Sequence, residues 1–246
     1  MADPKKTKFG LIGDGKIAKR HRTAIESLGG EIGAVFDPIY SNHPNLDTEF
    51  FDGLEYVAIC SPTMRHCEHI QTALKHNVKV IVEKPMVLPW QPIIDNPDVF
   101  MVLQMRYCQL PRKAKKIKLV ISRNSKYFES TKGHPRATGG MFYNVFIHYV
   151  DLAMRTGATI DAIVINDGHQ EAWLDDIDLL SVDMDSAYRA MYSDIMLNAA
   201  SPTAGEIARL YYHLARYTER FGAGKEILNK HIEINPTDLS WIRNFA

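Results

Sequence analysis

Lys8-Phe9-Gly10-Leu11-Ile12-Gly13, running straight into Asp14-Gly15-Lys16-Ile17-Ala18, sets the fold of this 246-residue chain. The first half is a short apolar run closed by glycine, the pattern of a buried strand. The second half is G-x-G-x-x-A. Beyond it, Ile17 to Leu28 has helical character up to a Gly29-Gly30 stop. A side chain at either motif glycine would block the tight turn or the approach of backbone to a pyrophosphate. The helix N-terminus that follows offers N–H groups and partial positive charge to phosphates. Strand, glycine turn and helix together supply the context such a motif requires.

Outward from this unit, Glu31 to Phe36 reads as a second strand ending at Asp37-Pro38. Asp37 lies 22 positions after Gly15, where a carboxylate accepts hydrogen bonds from the adenosine ribose hydroxyls. An acidic residue there repels the extra phosphate of NADP, so the expected cofactor is NAD, contacted by Gly13, Gly15, Lys16, Ile17 and Asp37. Tyr56 to Cys60 is a third strand ending at Ser61-Pro62. His66 to His76 is a helix, Val78 to Val82 a fourth strand ending at Glu83-Lys84-Pro85, and Phe100 to Leu103 a fifth. Strands alternating with helices imply a parallel sheet covered on both faces. Two connections are thin. Pro38 to Leu54 shows no convincing helix, and Pro89, Pro92 and Pro97 disfavour one in Leu88 to Asp98, so at least one crossover is expected to be a loop.

After Arg106 the pattern changes. Lys116 to Ser122 alternates like a half-buried strand, Gly139 to Thr156 reads as a helix, and Ile160 to Asn166 as a strand. Glu171 to Val182 holds one or two more strands, and Ala187 to Leu197 and Thr203 to Phe221 are helices. The expected fold class is α/β, with a Rossmann dinucleotide-binding domain over 1–105. A reduced α+β domain with an open sheet follows over 106–246, for substrate binding and oligomerisation.

Composition narrows the function. The 29 basic and 29 acidic side chains cancel, which argues against a nucleic-acid or membrane-surface role. Cys60, Cys67 and Cys108 form no CxxC pair, so neither a disulfide framework nor a metal site is expected. They fit reduced thiols in the cytoplasm. The polar N-terminus lacks a secretory signal, and no apolar run reaches bilayer-spanning length. The basic run Arg112 to Lys118 reads as a solvated helix face. Tyr211, Tyr212 and Tyr217, at helical spacing, read as packing or interface residues.

The segments GDGKIAKRH, YVAICSPTMRHCEHIQTALKHNVKVIVEKP and GGMFYNVFIHYVD, in this order, resemble the glucose-fructose oxidoreductase/inositol dehydrogenase family over most of the first 155 residues. The resemblance implies that Lys84 lies at the nicotinamide end of the cofactor. It also implies cofactor contacts at Ser61-Pro62, His66, Glu83 and Gln104, and that His148 faces the substrate hydroxyl. The family commonly has Asp four residues before this His; here Asn144 stands there. That Asn, with LQMRYCQ (Leu103 to Gln109) and SRNSKYFESTKGHPRATGG (Ser122 to Gly140), is similar to the UDP-N-acetyl-2-amino-2-deoxyglucuronate 3-dehydrogenases of surface-polysaccharide pathways. The implied substrate is a UDP-linked N-acetylated hexuronic acid oxidised at its 3-hydroxyl, and the implied assembly is a homo-oligomer, a dimer or tetramer.

Such an oxidation needs a base for the hydroxyl proton. His148 suits it because imidazole titrates near neutrality, with Lys84 holding the same oxygen, or the two roles exchanged. Asn144, one helical turn earlier, would donate to a sugar oxygen without adding negative charge. Lys132, Arg136, Arg106 and Tyr127 are candidates for the carboxylate and phosphates. The alternatives are a dehydrogenase of another sugar or polyol, and a non-catalytic NAD-binding sensor. In the bland reading of His148, it and Asp151 are only a helix-surface pair.

Overall fold

β1 (Lys8–Ile12) forms where the apolar run lies, and four of its five residues are buried. The structure, a computed structural model, describes residues 6–39, 42–108, 116–122, 135–140, 142–166, 171–174, 177–178, 183–197 and 202–221. The chain divides into two compact units. One comprises Met1–Val87, Ile94–Tyr107 and Met184–Ala204, and the other Leu88–Ile93, Cys108–Asp183 and Gly205–Ala246.

In the first unit, β1, β2 (Glu31–Phe36), β3 (Tyr56–Ile59), β4 (Lys79–Val82) and β5 (Val99–Met101) form a five-stranded sheet in the order β2-β1-β3-β4-β5. All four pairings are parallel. α1 (Ala18–Ser27) connects β1 to β2 and α3 (His66–Lys75) connects β3 to β4. Between β2 and β3 stands a single turn, α2 (Thr48–Phe51), where the sequence showed no convincing helix. Asp47 caps it by accepting from the Phe50 N–H at 3.2 Å. The β4–β5 connection carries no helix, in keeping with Pro89, Pro92 and Pro97.

That missing crossover helix leaves one face of β4 and β5 to be covered from elsewhere. The cover is α6 (Met184–Met196), which packs beside α1 and the 3-10 turn Gln104–Tyr107. Tyr188, Met191, Tyr192 and Ile195 from this helix join Phe9, Ile25, Tyr56, Ile81, Phe100 and Val102 in one core. Fully burying each such aliphatic or thioether side chain contributes about 1.5–3 kcal/mol. The unit built on the first sheet therefore draws on a helix about eighty residues beyond the expected 105/106 boundary. Helical periodicity identifies a buried face but not the partner that buries it.

The second unit holds β6 (Lys116–Ser122), β7 (Thr159–Asn166), β8 (Glu171–Leu174) and β9 (Ile177–Asp178) as an open sheet in the order β7-β6-β8-β9. β6 runs parallel to β7 and antiparallel to β8. Lys116 to Lys118, the end of the basic run read as a helix face, are strand residues of β6. The single helix expected over Gly139 to Thr156 is instead two pieces, preceded by a separate short helix. α4 (Pro135–Thr138) stops where Gly139 and Gly140 both take positive φ, at 79° and 86°. A π-helical turn (Phe142–Phe146) then leads into α5 (Ile147–Thr156), closed by left-handed Gly157. α7 (Ala204–Phe221) buries Ile207, Leu210, Tyr211 and Leu214, and the Tyr143 hydroxyl donates to the Tyr211 carbonyl at 3.4 Å. Tyr212, on the same helix, is exposed. Among the described residues no helix is long and apolar enough to cross a membrane.

Candidate functional site

β1, β3 and β4 end at one level of the sheet, because Ile12 pairs with Ile59 and Ile59 with Val82. The next residue of each strand continues the ladder. Cys60 N–H donates to the Ile12 carbonyl at 2.8 Å, and Glu83 N–H to the Ile59 carbonyl at 3.0 Å. The glycine turn, the Ser61-Pro62 turn and Glu83-Lys84 are thereby brought to one carboxyl edge. In the strand order β2-β1-β3, the chain reverses its direction of winding between β1 and β3. This is the switch point at which open α/β sheets bind ligands.

The two motif glycines have different duties. Gly13 takes φ +92°, and a Cβ there would meet the Ser61 nitrogen at 2.9 Å and the Cys60 carbonyl carbon at 3.0 Å. It lets two turns touch. A Cβ on Gly15 would meet no protein atom within 4 Å. Gly15, Lys16 and the N-terminus of α1 border open space, no side chain caps α1, and its first turn has no acidic residue. Ile17 is the N-cap residue. Uncrowded backbone at a positive helix end suits a dinucleotide pyrophosphate. Asp37 ends β2 beside it. Its Oδ2 accepts from the Asp14 N–H at 2.9 Å and its Oδ1 from the Ile39 N–H at 2.8 Å, which aims the carboxylate at the glycine turn. A carboxylate is an acceptor of the kind ribose hydroxyls require. These residues fit NAD.

His66 and His69 organise the β3 and β4 turns. The His66 ring lies between the Pro85 carbonyl and the Ser61 carbonyl, 2.9 Å from each, and its single N–H in the neutral form donates to one of them, while the imidazolium would donate to both. Burial pushes its pKa below the ordinary value, against the pull of those carbonyls. His69 shares a 2.9 Å hydrogen bond with the Ser61 hydroxyl. Burial, with the charges of Arg65 and His66, lowers its pKa to about 4. His66 thus sits between the β3 and β4 turns, with both ring nitrogens facing protein carbonyls.

Glu83 lies at the centre of a network the sequence did not disclose. Its Oε1 accepts from His21 Nε2 at 3.0 Å and from the Tyr188 hydroxyl at 2.6 Å, and its Oε2 accepts from the Lys84 N–H at 3.3 Å. His21 Nδ1 shares a 2.6 Å hydrogen bond with Tyr192. All four side chains are buried. Burial alone would raise the Glu83 pKa. The hydrogen bond and charge of His21, the charge of Lys84 and the Tyr188 hydroxyl overcome it and hold the carboxyl at about 2. Tyr188 and Tyr192, buried beside this anion, are pushed well above the ordinary phenol range. The carboxylate that was expected to contact cofactor is engaged within the protein. Tyr188 and Tyr192 sit four residues apart on α6, a pairing that marks one helix face. Nothing in the sequence says that this face meets His21.

Lys84, half-buried, follows directly at the edge, and Gln104 and Arg106 lie in the 3-10 turn after β5, Gln104 buried and Arg106 half-buried. In the second unit, Asn144 is half-buried on the π-helical turn, its N–H donating to the Gly140 carbonyl at 2.9 Å. His148 follows on α5, buried, with Asp151 also buried three residues on. The alternative of an exposed helix-surface pair therefore fails. Tyr127 and Lys132 lie outside the described residues, as does the side chain of Arg136.

Residues 7–96 match the model of a family described as an oxidoreductase family with an NAD-binding Rossmann fold. A curated relative is glucose-6-phosphate 3-dehydrogenase of Bacillus subtilis (strain 168), 33% identical over 94 residues; the match covers 33% of this chain and 27% of that relative's length. Similar solved structures include the WlbA (WbpB) dehydrogenase of Thermus thermophilus in complex with NAD and UDP-GlcNAcA. It shows 20% identity and a TM-score of 0.62, with 85% of this chain and 93% of that one covered. Another is the UDP-N-acetylglucosamine 3-dehydrogenase GnnA of Acidithiobacillus ferrooxidans, with 12% identity, a TM-score of 0.63, and 87% and 97% covered. At these identities the structural likenesses establish the fold.

Proposed function

From residues 7–96 as an NAD-binding Rossmann domain of the glucose-fructose oxidoreductase/inositol dehydrogenase family, we propose that the protein is an NAD-dependent dehydrogenase of nucleotide sugars. Its substrate in this reading is a UDP-linked N-acetylated hexuronic acid, oxidised at the 3-hydroxyl in the making of a surface-polysaccharide sugar. The observation that carries the dehydrogenase reading is the common level at which β1, β3 and β4 end, with Gly13, Ser61 and Lys84 at one switch-point edge. The substrate class is supported by Asn144 and by the UDP-GlcNAcA named with the Thermus structure, and the 3-position by the 3-dehydrogenase names of the other two relatives.

NAD, when bound, supplies the hydride acceptor. Gly13, Gly15, Lys16 and Ile17 hold its pyrophosphate and Asp37 its adenosine ribose. Lys84 donates from Nζ to the substrate oxygen and orients the sugar. His148 takes the hydroxyl proton on an imidazole nitrogen, a role that suits a group titrating near neutrality. Asn144 donates its amide to a neighbouring sugar oxygen. Arg106, with Lys132 and Tyr127, meets the carboxylate and diphosphate. The active form is a homo-oligomer.

A second reading keeps the chemistry and changes the sugar to a phosphorylated hexose, as the name of the Bacillus relative suggests. Purified protein is to be given NAD with UDP-N-acetylglucuronic acid, glucose 6-phosphate or myo-inositol, and NADH followed by absorbance. NADH formed on the UDP-sugar alone supports the proposal. NADH formed on glucose 6-phosphate alone transfers it to the second reading. NAD binding with no turnover on any of the three overturns the enzymatic assignment in favour of a sensor.

A further inference from the structure

We infer that His21, Tyr188 and Tyr192 are positioning residues for Lys84, acting through the Glu83 carboxylate, so that α6 belongs to the cofactor site although none of its residues follows a Rossmann motif. The inference rests on the proposed role of Lys84 at the nicotinamide end. Glu83 and Lys84 are consecutive, and the Glu83 side chain folds back onto the Lys84 backbone N–H, 3.3 Å from Oε2. The direction of that carboxylate therefore fixes the peptide from which the Lys84 side chain departs. The carboxylate in turn is fixed from two elements. α1 supplies His21, fully buried, and α6 supplies Tyr188, 1% exposed. Tyr192 completes the set by holding the far nitrogen of His21.

A generic core would fill this place with apolar side chains, since a buried anion needs several partners to be tolerated. Here two polar groups from two helices converge on one carboxylate, a third steadies one of them, and the residue that follows the carboxylate at the sheet edge is a lysine. Its ammonium also contributes to holding the Glu83 carboxyl ionised. A buried polar network is tolerated only when its members are partnered, and here both Glu83 oxygens, both His21 nitrogens and both tyrosine hydroxyls have partners. α6 is also the helix that covers the face left bare by the prolines of the β4–β5 connection, which gives the fold a reason to bring it here.

The test reads Lys84 directly and needs no substrate. Trace acetylation of the full chain with acetic anhydride, followed by peptide mass spectrometry, gives the reactivity of Lys84 relative to Lys75, an exposed lysine at the end of α3. The variants are Tyr188→Phe and Tyr192→Phe, which keep ring and volume and remove one hydroxyl each. In both, the Lys84 to Lys75 ratio is expected to change by about threefold or more, the lower end of what losing one hydrogen bond is worth, with the larger change in Tyr188→Phe, which removes the bond to the carboxylate itself. A purely structural role would lower the melting temperature of either variant and leave the ratio where it stands in wild type. An unchanged ratio in both folded variants overturns the inference. Should Tyr188→Phe fail to fold, Tyr192→Phe decides the matter alone. Protection of wild-type Lys84 by NAD is measured in parallel. Its absence would sink the reading of Lys84 as a nicotinamide-end residue, while the ratio would still report whether α6 positions it.

Discussion

Gly13 and Gly15 separate fold from function at the scale of single residues. Gly13→Ala places a Cβ against the Ser61 and Cys60 backbone at positive φ, so it should cost about 1–3 kcal/mol of stability as well as NAD affinity. Gly15→Ala meets open space, so its melting temperature should match wild type while NAD affinity falls at least about tenfold, the cost of crowding a backbone–phosphate contact. Thermal melts paired with NADH fluorescence titrations check both. Equal loss of stability in the two variants would contradict the assignment. Acid stability separates two further residues. His69 is held at about 4 against an ordinary 6.5, so between these values the unfolded chain binds the proton first and stability falls as pH drops. Glu83 is held at about 2 against 4.5, so its contribution is complete above pH 4.5 and is lost toward pH 2, about 3 kcal/mol in all. Urea melts across this range should show both declines. His69→Gln should flatten the upper one and Glu83→Gln the lower. A Glu83→Gln curve that parallels wild type below pH 4.5 would remove the ionised, internally bonded Glu83 from the account.

Elements differ in how far sequence discloses them, and the difference is one of range. β1, the glycine turn, α1, β2 and the turn at Asp37 are legible because every signal is local: an apolar run, glycines that need their freedom, a helix stop. The π-helical turn at Phe142–Phe146 is not, since its residues suit an α-helix equally and Gly139-Gly140 merely mark a break. α6 is legible as a helix and illegible as a neighbour, because its destination depends on the bare sheet face left by Pro89, Pro92 and Pro97. The same blindness hid His21, whose place in an apparently ordinary helix gives no sign of Glu83, and assigned Glu83 and His66 outward roles when their polar atoms are taken by protein. Met191, 3% exposed in the core between α6 and the sheet, tests the helix as cover. Met191→Ala should destabilise the first unit by about 2–4 kcal/mol and weaken NAD binding only as far as it unfolds the protein. A change below about 0.5 kcal/mol, the range of surface substitutions, would show that α6 is not part of that core.

For the whole molecule, the first unit carries the glycine turn, Asp37 and Lys84, and the second carries Asn144 and a buried His148. The family match covers residues 7–96 and so speaks for the first of these. Everything beyond it, from the sugar to the base, rests on the chemistry of a few side chains. The most direct test is the rate of NADH formation from NAD and UDP-N-acetylglucuronic acid by wild type, Lys84→Ala and His148→Ala, each shown to be folded by its melting curve. The account predicts turnover by wild type and a fall of at least about a hundredfold in each variant, the scale of a lost general base or oxygen-holding cation. Turnover at the wild-type rate by either variant would contradict it.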